Sequence, residues 1–278
     1  MNDFFRINLI YSDKKGVVEL SSIAPKNPNR AQQKHTSEIN AKRTDPAIRT
    51  LARILNENYV AGKDVMLTLT LSEEGLSKLE TMDPAKTDNI EDATLLALDH
   101  EARKYIKRIR NSRKGLKYVC VPSDRAQDPE GEMVPARPHI HFIIEREYVE
   151  PARQKWKLGE VYKSVLYDED GDFHRLAQYL IEQTRMIGKR QRYPHSRNMS
   201  KPYELSFWVP RDVASQLRVP DGCTELYTSD SFLCGVKQSR YRTNFNQTSR
   251  NESQQTLFEQ LAKALPSQLL DYIEKLWD

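Results

Sequence analysis

The chain alternates between two hydrophobic periods, and the order of the alternation predicts its elements. Residues 64–72, DVMLTLTLS, place Met66, Thr68 and Thr70 on one side and Leu67, Leu69 and Leu71 on the other. That period of two marks a half-buried strand. Residues 48–55 and 90–113 carry the helical period instead. Ile48, Leu51, Ile54 and Leu55 line one face of the first, and Leu98, Ala102, Tyr105, Ile106 and Ile109 line the second, with Gly115 as its stop. LKYVCVP (116–122) predicts another strand, followed by a long polar loop over 123–137. PHIHFII (138–144) predicts the next strand, which Pro138 can open because a first residue need not donate to the ladder. GDFHRLAQYLIEQTRMIG predicts a helix with Asp172 as N-cap and Gly188 as stop, burying Phe173, Leu176, Ala177, Leu180 and Ile181.

The flanks are less regular. Residues 1–20 predict a marginal hairpin, and 21–46 are polar and proline-bearing, the composition of a linker or arm. YELSFWV and FLCGVK predict late strands, and helical pieces interrupted by Pro266 end the sequence. The expected class is α+β: a central antiparallel sheet with helices packed on one face. The expected division is an N-terminal arm with a short helix (1–59), a main domain (60–245) and a C-terminal helical segment (246–278).

Composition narrows the function classes without choosing one. The 278 residues carry a net charge of +4 and 38% hydrophobic residues, so a sizeable core is affordable and the mean charge is uninformative. Cys120, Cys223 and Cys234 show no CxxC spacing, which argues against a disulfide framework or a structural zinc site. No apolar run approaches the ~20 residues of a membrane span, and the first residues lack a secretory layout. A soluble, cytoplasmic protein without membrane partners is expected. No GxxxxGK loop is present, so no helicase activity is expected.

The candidate chemistry lies in the strand 138–144. His139 and His141 are two apart, so both imidazoles leave the same face and form a bidentate perch for a divalent cation. Imidazole suits Mn²⁺ and Zn²⁺, whereas Mg²⁺ prefers oxygen. Tyr179 falls at about 120° from the centre of its helix's apolar stripe, grouped with Arg175 and Gln183, where a hydroxyl can emerge beside the sheet. From Gln183 to Tyr203 there are six basic residues and no acid: Arg185, Lys189, Arg190, Arg192, Arg197 and Lys201. Tyr193, His195 and Asn198 are interleaved among them. That composition tracks phosphates and holds unpaired bases. The basic run EARKYIKRIRNSRKGLK (101–117) reads more simply as cations flanking a buried stripe.

Taken together, VMLTLTLS, PHIHFII, LAQYLIEQ and the basic RYPHSRNMSKP resemble, in order, motifs of the HUH endonucleases that initiate rolling-circle replication of phages and plasmids. The resemblance covers roughly residues 60–240 and is carried most strongly by the histidine pair. It implies a ferredoxin-like or RRM-like core, a divalent metal (Mn²⁺ or Mg²⁺) on His139 and His141, and Tyr179 as nucleophile. The implied reaction nicks single-stranded or hairpin DNA through a 5′-phosphotyrosine, with host replication proteins as further partners. Arg175, Arg185, Lys189, Arg190, Arg192, Arg197, Asn198 and Lys201 are the expected DNA contacts, and Glu132 the expected third metal ligand. Two departures stand out. Glu182 and Gln183 occupy positions where many relatives carry a lysine, and Arg175 and Gln183 stand where a second tyrosine would be, so a single-tyrosine enzyme is expected. Tyr193 and Tyr203 are rival nucleophiles. Alternatives from other classes are a DNA-hairpin-binding protein without catalysis and a metal-dependent nuclease using water.

Overall fold

A computed structural model describes residues 4–12, 14–23, 45–81, 90–184, 192–231, 236–242, 265–267 and 269–270. The class is α+β, with two antiparallel sheets where one was expected. The chain divides into two compact units. One comprises Asp45–Glu169 and Phe173–Ser200, and the other Met1–Thr44, Asp170–Asp172 and Lys201–Asp278. These limits depart from boundaries at 59/60 and 245/246. Strand pairing is long-range, and the period of a strand does not reveal its partner.

The histidine strand belongs to the first unit. Its sheet runs β4–β5–β3–β6, from β3 (Val65–Leu69), β4 (Tyr118–Gln127), β5 (Met133–Ile144) and β6 (Val161–Val165). Helices α1 (Pro46–Asn58), α2 (Glu73–Thr81), α3 (Ile90–Ser112), α4 (Val149–Lys155) and α5 (His174–Glu182) complete it. The sheet is covered on both faces, not one. Leu67, Leu69, Cys120, Ile140, Phe142 and Ile144 face a core built with α3 and α4, including Leu98, Tyr105, Ile109 and Trp156. The alternate residues Val119, Val121 and Ile143 face a second core with Leu51 and Leu55 of α1 and Phe173, Ala177 and Leu180 of α5. Two-sided burial follows from the sequence of β5 beyond Pro138, where apolar residues occur at both parities.

Two helix docks position the site face. At the start of α1 the Asp45 side chain accepts from Ala47 N at 2.8 Å, with Pro46 in the first turn. Its far end is anchored by Asn58, which exchanges two amide hydrogen bonds with Ser200, and by buried Tyr59, which donates to Ile143 O. Helix α5 starts one residue later than expected. Phe173 occupies its N-cap position in place of Asp172, whose carboxylate takes Arg240 Nη2 at 2.7 Å. The Phe173 amide is instead satisfied by the buried Asn56 side chain of α1 at 2.9 Å. The helix ends at Glu182; Gly188 lies outside the described residues.

The polar segment expected as a loop is a hairpin: β4 continues to Gln127 and β5 begins at Met133. Polar side chains on both faces hide a strand period there. Pro135 and Pro138 are tolerated because β3 pairs β5 only over residues 140–144, leaving one edge of the earlier part free.

In the second unit the sheet order is β7–β1–β2–β9–β8, from β1 (Phe4–Ser12), β2 (Val17–Ile23), β7 (Tyr203–Pro210), β8 (Thr224–Ser231) and β9 (Val236–Arg242). Phe5, Ile7, Leu9, Leu20, Val209 and Tyr241 form its core with Ala214 of α6 (Arg211–Gln216) and Leu269. The N-terminal hairpin is therefore the middle of a sheet rather than an arm, and residues 21–23 are strand. Strand β8 went unpredicted because TELYTSDS has almost no apolar residues. Residues 24–44 of the expected linker and most of the C-terminal helical segment lie outside the described residues, while Asp45 and Pro46 open α1. Among the described residues no helix is long and apolar enough to cross a membrane.

Candidate functional site

The register fixes what surrounds the histidines. In β5, His141 pairs with Val121 of β4 on one side and Thr68 of β3 on the other, while His139 pairs with Ser123. Both imidazoles therefore leave the face that α1 and α5 cover, and meet the C-terminal turn of α5.

Three donor atoms converge there. His139 Nε2 lies 3.1 Å from His141 Nε2, and Gln183 Oε1 lies 2.6 Å from His141 Nε2. The tautomer of His139 is set by its other nitrogen, which sits 2.9 Å from the Arg137 carbonyl. A carbonyl only accepts, so Nδ1 carries the proton and Nε2 presents a lone pair. His141 is buried, and burial pushes its pKa down to about 4, with neighbouring His139 adding to the effect and the Gln183 bond opposing it. The ring is neutral at ordinary pH and available as a ligand.

Hydrogen bonding alone serves this cluster poorly. A proton on His141 Nε2 reaches Gln183 Oε1 but leaves the His139 lone pair without a donor, and His141 Nδ1 is buried without a partner in either case. A cation at the point of convergence would take all three lone pairs. Ligand atoms held at 2.0–2.2 Å around such an ion stand roughly 3–3.5 Å apart; the two imidazole nitrogens lie at 3.1 Å, and Gln183 Oε1 is closer to His141 Nε2, at 2.6 Å. The residues fit a divalent ion, and two imidazoles with an amide oxygen favour Mn²⁺ or Zn²⁺ over Mg²⁺.

Gln183 is held by the chain around it. Ser123 Oγ donates to Gln183 O at 2.5 Å, and Thr184 Oγ1 donates to Pro122 O at 2.7 Å, so the last turn of α5 is pinned to β4. Tyr179 lies one turn earlier, half-buried at the rim of the α1–α5 core, its ring centroid 5.6 Å from that of His141.

The other expected site residues divide. Glu132 stands in the β4–β5 turn, where its amide donates to Asp128 Oδ1 and its carbonyl accepts from Asp128 N. Seven residues of strand separate it from His139, roughly 23 Å at strand rise, so it is no ligand there. Among the described residues no group of three His, Cys, Asp or Glu gathers anywhere. The oxygen that stands beside His141 is Gln183 Oε1, not a Glu132 carboxylate. The signal for Gln183 was in the sequence: a residue four beyond Tyr179 shares its helix face, but the third ligand was sought on a neighbouring strand and not on the tyrosine helix.

Arg175 is exposed and paired with Glu169. Arg192 pairs with Asp45 at 2.5 Å; burial raises that carboxyl, and the Ala47 amide and Arg192 outweigh it, leaving the pKa below its ordinary value. Asn198 donates its side-chain amide to Gly115 O, a structural contact, while Arg197 and Lys201 are exposed. Arg185, Lys189 and Arg190 lie outside the described residues. The rival Tyr193 stacks against His195 at 6.1 Å between centroids, with its hydroxyl raised mainly by burial, and Tyr203 is exposed on β7.

Compared with protein-family models, with curated proteins and with solved structures, the chain finds no match in any of the three.

Proposed function

We propose that this protein is a metal-dependent, single-tyrosine endonuclease and strand transferase of the HUH type, acting on single-stranded or hairpin DNA to start rolling-circle replication. The observation that carries the reading is the convergence of His139 Nε2, His141 Nε2 and Gln183 Oε1 beside Tyr179. A sheet supplies two ligands, and one helix supplies both the third and the nucleophile.

His139, His141 and Gln183 would hold the divalent ion. When bound, it supplies Lewis-acid polarisation of a phosphodiester. The residues of the chain do the rest. The Arg137 carbonyl fixes the His139 tautomer, and the packing of His141 between β4 and β3 fixes its ring. The Ser123 and Thr184 hydrogen bonds set the depth at which the end of α5 meets the sheet. Tyr179 is then presented on the same side as the ligand atoms, for in-line attack of its phenolic oxygen on phosphorus. The Tyr179 O–P bond forms as the bond from phosphorus to the 3′-oxygen breaks. The phenolic proton passes to water, and the departing 3′-oxygen takes one up. The products are a 5′-phosphotyrosine and a free 3′-hydroxyl able to prime a polymerase.

The test is incubation with labelled single-stranded origin-type DNA and Mn²⁺, followed by denaturing electrophoresis. A covalent adduct that is lost in Tyr179→Phe supports the reading. Cleavage without adduct would indicate water as nucleophile, and binding without cleavage a recognition module. An adduct surviving in Tyr179→Phe would move the nucleophile to Tyr193 or Tyr203.

A further inference from the structure

The stretch from Ala102 to Ser123 holds eight Lys and Arg residues and no acid, and apart from the half-buried Lys117 the structure separates them into two groups. Arg103, Arg108 and Arg113 are paired with Asp99, Glu101 and Glu147. Lys104, Lys107, Arg110 and Lys114 are exposed, and no acid pairs with them among the described residues. Lys107, Arg110 and Lys114 follow Arg103 at spacings of four, three and four. They form one stripe along the solvent face of α3 and past its end. From Arg103 to Lys114 the stripe covers roughly 16 Å at helical rise.

A second segment extends it. Residues 194–196 add to the free edge of β4: Cys120 N donates to Pro194 O at 2.8 Å, Ser196 N donates to Tyr118 O at 3.0 Å, and Val119 and His195 form an antiparallel bridge. Asn198 then ties this segment to the end of α3 through Gly115 O at 3.1 Å. These bonds bring exposed Arg197 to the same place. The Tyr118 hydroxyl is raised by burial and by Cys120, and the field of Arg110, Arg103 and Arg197 opposes that rise. The three guanidiniums therefore act on one point.

We propose that the α3 stripe and Arg197 form a track for the phosphate backbone of duplex DNA, separate from the histidine site and engaging the stem beside the strand that the site cuts. The reference to a stem rests on the function proposed above; the track itself does not. Single-strand grooves interleave cations with exposed aromatic rings on which bases stack. This surface exposes Lys104, Lys107, Arg110, Lys114 and Arg197, keeps its rings Tyr118 and His195 half-buried, and is mounted on a helix. Its exposed charges suit phosphates, and it lacks the exposed ring platform on which unpaired bases stack.

The test uses the full chain with Lys107, Arg110 and Lys114 all changed to Gln, and measures binding to a duplex of arbitrary sequence and to a short single strand across a salt series. Each phosphate contact contributes about 0.9 to the slope of log K against log salt on duplex. The triple variant is expected to lose roughly 2–3 from that slope while keeping the wild-type slope on the short single strand. The changed positions are exposed, so an unchanged thermal unfolding midpoint should accompany the loss. An unaltered duplex slope overturns the proposal, as does an equal loss on the single strand. Wild-type binding to anionic vesicles with none to duplex overturns it too, and would assign the surface to a membrane. Duplex binding with the full slope but no covalent adduct keeps the track and removes the endonuclease reading.

Discussion

Gln183 stands one helical turn beyond Tyr179 on α5 and places its Oε1 2.6 Å from His141 Nε2. A single helix thus sets the proposed nucleophile and the proposed third ligand in one relation, and a shift of α5 moves both together. Removing the amide should therefore act on metal first. Gln183→Ala is expected to weaken Mn²⁺ binding by at least ~10-fold, while Gln183→Glu, which restores an oxygen donor, keeps it. Titration calorimetry on the three proteins decides the matter. Equal affinity in Gln183→Ala would exclude Gln183 as a ligand.

Acid should destabilise the fold through His141. Its folded pKa of about 4 lies below the ordinary value near 6.5. Between those values the unfolded chain binds more protons than the folded one, so stability rises with pH across the window and is complete above it. Going down from pH 6.5 to 4 should remove on the order of 3 kcal/mol, a ceiling for a buried ring beside a second imidazole. Urea unfolding at pH 7, 6 and 5 should show the decline, and a His141→Asn variant should show less of it. A variant with the full wild-type slope would place the titrating group elsewhere.

Much of this site was legible in the sequence, and what was not has a physical reason. The parity of His139 and His141 follows from strand geometry alone, as does the azimuth of Tyr179 on a short amphipathic helix. The partner of that geometry did not follow. Gln183 lies 42 residues from His141 in sequence and is brought to it by hydrogen bonds of Ser123 and Thr184 to backbone carbonyls, which leave no mark in the hydrophobic pattern. Glu132 was favoured because it precedes the histidines, yet a two-stranded ribbon carries it away from them. The second sheet was hidden for a similar reason. Phe4–Ser12 reads as a marginal hairpin strand until β7 pairs with it some 200 residues later.

The seat of α5 can be tested without touching the ligands. Ser123 is fully buried, and its hydroxyl reaches Gln183 O at 2.5 Å. In Ser123→Ala that carbonyl loses its donor in a site closed to water, which costs about 1–3 kcal/mol. The last turn of α5 should also loosen, lowering Mn²⁺ affinity although no ligand has changed. Denaturant unfolding and metal titration of the same variant read the two effects. A loss of stability with undiminished affinity would mean that Gln183 is held by the helix alone. Ser123→Thr, which keeps the hydroxyl, should restore more affinity than Ser123→Val.

The buried pair Arg240–Asp172 should show how differently breaking and replacing an ion pair behave. Arg240 Nη2 meets Asp172 Oδ1 at 2.7 Å with both side chains under a tenth exposed, and Glu19 lies 3.8 Å from Arg240 Nε. Truncating Asp172 to Ala removes the carboxylate nearest to Arg240 Nη2 from a buried guanidinium, with the Glu19 carboxylate 3.8 Å from its Nε. The expected cost is about 3–5 kcal/mol. Replacing both partners at once, as Asp172→Leu with Arg240→Met, removes the stranded charge together with the attraction. It should cost clearly less than the single change, because two desolvation penalties disappear with the pair. Urea unfolding of the single and double variants measures the difference. An Asp172→Leu/Arg240→Met variant as unstable as the sum of Asp172→Leu and Arg240→Met made singly would show that the two side chains act independently.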